Sequence, residues 1–73
     1  MAEKTDWEMK AANLLKAELK RKGVTYSQLV EKLAAIGVEE TEANVRNKLS
    51  RGKFTAAYLL QCLSAIDADQ IRL

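Results

Sequence analysis

The sequence predicts an all-α fold, a compact bundle of four to five short helices. Three observations predict it. There is no proline and there are three glycines in 73 residues, so little interrupts helical periodicity. The composition is 48% apolar but 5% aromatic, and Ala, Leu, Lys and Glu abound, which favours helices over sheets. Segments of helical length that open on threonine and close on glycine follow one another along the chain. A chain of this length makes one domain, residues 1–73, and buries only roughly 60% of the surface its unfolded form exposes.

The first helix is expected over about 5–22. Thr5 and Glu8 have the spacing of a capping box, in which hydroxyl and carboxylate satisfy free backbone amides. Trp7, Ala11, Leu14, Leu15 and Leu19 recur at helical spacing and are assigned to the core. Lys20, Arg21 and Lys22 complement the negative end of the helix dipole before Gly23. A second capping box, Thr25 with Gln28, opens a helix over about 25–36, with Val24 and Leu29 placed as a hydrophobic staple. Its apolar stripe is Leu29, Val30, Leu33 and Ile36.

The third helix is expected over about 41–51, from Thr41 to the glycine at 52. Val45 and Leu49 are its only large apolar residues, so one narrow stripe holds it and most of its circumference faces solvent. The fourth, about 55–66, has Thr55 as N-cap and Phe54 stapled to Leu59. Ala56, Leu59, Leu63 and Ile66 form its inward stripe, while Tyr58, Leu60 and Cys62 widen the apolar arc beyond one side. Asp67 and Gln70 are placed to cap a short last turn over 67–72.

The charges are uneven. The net charge is +2, so any preference for an anionic partner must come from placement. Glu39, Glu40 and Glu42 form an acidic knuckle, whereas "NVRNKLSRGKF", residues 44–54, carries Arg46, Lys48, Arg51 and Lys53 without an acidic residue. That stretch is either a face for a polyanion or the solvated end of a helix. With Val45 and Leu49 inward, Ala43, Asn44, Asn47 and Arg51 fall on the outer face. Asn pairs with adenine and Arg with guanine through two hydrogen bonds each, and a small residue admits a thymine methyl. Lys48 and Lys53 flank that face and suit phosphates. The three glutamates oppose this reading, although acidic residues also stabilise any helix start through the dipole.

Other chemistry finds little support. Cys62 is the single cysteine and no histidine is present, so no internal disulfide, metal set or catalytic dyad is expected. We expect no enzyme, no cofactor, no membrane span and no small-molecule substrate, and a reducing cytoplasmic location.

"GVTYSQLVEKLAAIG", "TEANVRNKLSRG" and "FTAAYLLQCLSAI", in that order, resemble the second helix, recognition helix and following helix of repressor-type, lambda-repressor-like helix-turn-helix domains. The resemblance covers residues 14–66 and implies a helix-turn-helix at the centre of the bundle. "LKAELKRKGV", "AAIGVEET" and "RGKF" are similar to blocks of a family of small bacterial helix-turn-helix-like proteins with no assigned function. The repressor resemblance implies sequence-specific binding of duplex DNA by a small bacterial or phage-type transcriptional regulator. It also implies a phosphate contact at the start of the second helix, at Gln28. Ser50 replaces the acidic residue that such domains pair with a cation of the first helix. Glu18, inside the first helix's apolar stripe, is therefore expected to be partly buried and paired with Arg46 or Arg51. One copy would bind weakly, so a homodimer is expected, with its contact on helix four at Tyr58 and Cys62. The alternative is a protein-interaction or oligomerisation domain without DNA binding.

Overall fold

The computed structural model describes residues 6–72. It contains four helices, α1 (Asp6–Lys22), α2 (Tyr26–Ala35), α3 (Glu42–Arg51) and α4 (Ala56–Ala65), and among the described residues no strand. α1 packs against α3 and α4, and α2 packs against the same two. Leu15, Leu19, Leu29, Leu33, Val45 and Leu49 meet Cys62, Leu63 and Ile66 in one core.

Three threonines start three of the helices as the sequence predicts. The Thr25 hydroxyl accepts from the Gln28 amide at 3.1 Å, and the Thr25 amide donates to Gln28 Oε1 at 2.9 Å, completing the capping box. Thr41 and Thr55 accept from the amides of Asn44 and Tyr58 at 3.1 and 3.0 Å. Each such cap stabilises by about 1 kcal/mol. The box expected at Thr5 lies outside the described residues.

The helices stop by a common device, a residue with positive φ. At the end of α3 it is Gly52, at φ 70. A Cβ there would lie 2.7 Å from the Glu8 carbonyl oxygen, so the missing side chain lets the end of α3 close onto α1. At the end of α4 the residue is Asp67, φ 57; its amide donates to the Ser64 carbonyl and that of Ala68 to the Leu63 carbonyl, the Schellman pattern. This overturns the expected last turn. A helix N-cap needs an extended backbone, and Asp67 is committed to ending α4, so residues 68–72 continue without regular structure.

Two polar bridges set the relative run of α1 and α4. Lys53 Nζ donates to Glu8 Oε2 at 2.9 Å and Lys22 Nζ to the Asp67 carbonyl at 3.0 Å. The start of α1 thus lies beside the start of α4, and the two ends coincide.

Three expectations about packing are corrected. Trp7, assigned to the core, is 77% exposed. The inward face of α1 is centred on Ala12, Leu15 and Leu19, and Trp7 sits about 100° round from it at 100° per residue. Ile36 lies outside the helix as the C-cap of α2 and is exposed. Glu18 is partly buried, but its partner is Arg21, at 2.6 Å. Both lie on one flank of α1, while Gly52 brings α3 against Glu8 at the helix's opposite end.

Candidate nucleic-acid interface

Val45 and Leu49 are fully buried and fix the rotation of α3. That rotation leaves Ala43, Asn44, Asn47 and Arg51 exposed. Asn44, Asn47 and Arg51, at steps of three and four, form one stripe along the helix. Asn44 and Asn47 use only backbone groups, the Asn44 amide to Thr41 and the Asn47 carbonyl accepting from Ser50. Their side-chain amides and the Arg51 guanidinium have no partner among the described residues.

The neighbouring cations are differently placed. Lys48, expected at a phosphate, puts Nζ 3.0 Å from Glu40 Oε2 and 4.2 Å from the centre of the Tyr58 ring. The Glu40 side chain is 3% exposed and that of Lys48 38%. Burial pushes the Glu40 carboxyl up, but the Lys48 hydrogen bond and charge and the Thr41 amide outweigh burial, so its pKa falls below the ordinary value. Lys53, the other expected phosphate ligand, is paired with Glu8. Arg46 pairs with Glu42 at 2.9 Å, four residues apart on the same helix. Gln28 is held in its capping box. The acidic knuckle is thereby largely used up inside the chain, with Glu39 left exposed.

Tyr58 and Cys62, expected as subunit contacts, are corrected. They are 6% and 0% exposed and belong to the chain's own core. α4 packs on both α1 and α2, which requires a wide inward arc, and that arc is centred on Cys62. The residue left outside is Leu60, 65% exposed. Burial raises the Cys62 thiol to about 11, with Tyr58 and Lys48 opposing and the Glu40 charge adding. Burial likewise raises the Tyr58 phenol far above its ordinary value, with the Glu40 carboxylate next in effect. Its hydroxyl lies within electrostatic reach of Glu40 and Cys62 without completing a hydrogen bond.

Sequence reasoning missed Glu40 and Glu8 as partners of Lys48 and Lys53. The Glu42–Arg46 pair had a signal, opposite charges at i and i+4. Glu8 and Lys53 are 45 residues apart and had none.

Fold and surface together define a small all-helical domain in which α3 presents an exposed polar face. Among the described residues no group of side chains is disposed to hold a metal ion, and no helix is long and apolar enough to cross a membrane. The chain belongs to the family described as a domain of unknown function, DUF6471, which matches residues 7–71. No curated protein and no solved structure matches it.

Proposed function

We propose that the chain acts by binding rather than catalysis, and that it binds duplex DNA by setting the outer face of α3 in the major groove. One observation carries the reading: Asn44, Asn47 and Arg51 stand exposed in a stripe, without partners in the described chain, on a helix anchored by Val45 and Leu49. Two amides and a guanidinium in line are the side chains that read adenine and guanine edges, and Ala43 leaves room beside a thymine methyl. Phosphate contacts would come from Lys48 and Lys53 at the expense of their carboxylates, which makes them weak. Two copies acting together supply the specificity that one such helix lacks, with half-sites about 34 Å apart. On this reading the protein is a small cytoplasmic transcriptional regulator of repressor type.

The test is selection of bound sequences from a random duplex pool, repeated with Asn47→Ala and Arg51→Ala. A shared motif that is lost with either variant supports the reading; recovery of unselected sequence by the parent chain refutes it. A second reading, a protein-interaction domain, is favoured by the pairing of Lys48, Lys53 and Arg46 with carboxylates and by exposed Leu60.

A further inference from the structure

One buried polar atom is left over by the packing. The Tyr58 hydroxyl is closed off from solvent and completes no hydrogen bond among the described residues, and a buried donor without a partner costs stability and calls for an explanation. A group able to accept from it is close by. Lys48 Nζ stands 4.2 Å from the centre of the Tyr58 ring and 3.0 Å from Glu40 Oε2, so phenol and carboxylate flank one ammonium. Glu40 Oε1 accepts from the Thr41 amide at 3.1 Å, which ties the carboxylate to the start of α3 and leaves Oε2 as the oxygen whose partner can depart. Cys62 is also within reach of the hydroxyl, but sulfur is a weak acceptor. Burial, with the Glu40 carboxylate next in effect, raises the phenol far above its ordinary value, so the hydroxyl keeps a proton to donate.

We propose that the Tyr58 hydroxyl is the reserve partner of Glu40, a positioning group that donates to Oε2 when Lys48 turns outward to a phosphate of the ligand. Lys48 is placed for that movement. Its side chain is 38% exposed, and it lies four residues after Asn44 and three before Arg51, at the border of the exposed stripe. The obstacle is the Glu40 side chain, 3% exposed, because a carboxylate so buried is costly to leave without a partner. With no second donor nearby, Lys48 would be fixed as a structural cation. With the phenol in place, the ion pair is exchanged for a hydrogen bond to a charged acceptor, itself one of the stronger kinds. The Tyr58 ring packs 5.8 Å from Phe54, so the adjustment falls to the hydroxyl hydrogen and the end of the Glu40 side chain. The phosphate step rests on the proposed function; the exchange of partners at Glu40 does not, and it is tested without a ligand.

The test is a cycle of thermal melts on the parent chain, Tyr58→Phe, Lys48→Met and the double variant. In the parent, Tyr58→Phe removes a donor that has no partner, so the melting temperature should hold or rise. In Lys48→Met the hydroxyl has taken over the carboxylate, so the same change should lower the folded-to-unfolded ratio by about tenfold. A tyrosine that only fills the core shifts both backgrounds alike, and that result overturns the proposal. Titration with random-sequence duplex over a series of salt concentrations reads the phosphate step. Tyr58→Phe should bind more weakly than the parent and lose about one from the slope of log affinity against log salt, as Lys48→Met does. A Tyr58→Phe variant that keeps the parent's slope overturns the proposal as well. If the parent bound no duplex at all, the reading of α3 would fall, and the melts would still decide the exchange at Glu40.

Discussion

Substitution of Lys48 separates two roles open to its ammonium, holding the Glu40 carboxylate and holding a phosphate. Lys48→Met keeps an apolar stem over the Tyr58 ring and removes the ammonium. It leaves a carboxylate whose side chain is 3% exposed without its cation. Breaking a fully buried pair costs about 3 to 5 kcal/mol and an exposed one about 0 to 1. Lys48 is 38% exposed, so water reaches one side of this pair, and a loss of about 1 to 3 kcal/mol is expected between those limits. Glu40→Gln should cost less, and the double variant should lose less than the sum of the two single ones. The pH dependence has a definite sign. The Glu40 carboxyl is lowered in the fold, so its contribution is present above the unfolded value of about 4.3 and is lost as pH falls through the folded value. The parent's advantage over Glu40→Gln should therefore be complete at neutral pH and vanish in acid. Urea unfolding followed by circular dichroism measures all of this. Suppose Lys48→Met were as stable as the parent while its salt slope of duplex affinity fell by about one. Lys48 would then be a phosphate ligand and the structural assignment would be wrong.

Gly52→Ala and Gly23→Ala make a controlled pair, because φ is 70 and 69 while the first site faces Glu8 at 2.7 Å and the second faces nothing within 4 Å. Both should lose about 1 to 2 kcal/mol for the left-handed backbone, and Gly52→Ala about 1 to 3 kcal/mol more for forcing α1 from α3; equal losses in thermal melts would refute the close approach. Cys62, whose thiol is raised to about 11 from 9.0, favours the fold in full below about 9 and loses that contribution as pH rises toward 11. A thiol reagent at neutral pH should accordingly label Cys62 only at the rate of unfolding, and immediate labelling of folded protein would place the thiol at the surface.

What could be read from the sequence was local. Thr25 with Gln28, Thr41 and Thr55 act within one turn of the chain, and Val45 with Leu49 is a spacing of four, so caps, helix limits and the inward face of α3 were legible to within a residue. The rotation of α1 and α4 was not, because it depends on which neighbours a helix must satisfy. α4 serves two helices at once and draws Tyr58 and Cys62 inward, while the contact of Gly52 with Glu8 places α3 where Trp7 is not covered. The same distinction governs the charges. "NVRNKLSRGKF" holds four cations and no carboxylate, and by local counting it is the most basic part of the chain. In space, carboxylates from outside the stretch pair with three of them: Glu42 with Arg46, Glu40 with Lys48 and Glu8 with Lys53. Arg51 is the cation of the four with no such partner among the described residues. The stretch thus carries less unpaired positive charge in space than it does in sequence. What α3 offers a ligand is two amides and one guanidinium in line, a surface suited to hydrogen-bonded recognition, with the long-range attraction that usually accompanies it mostly cancelled within the fold.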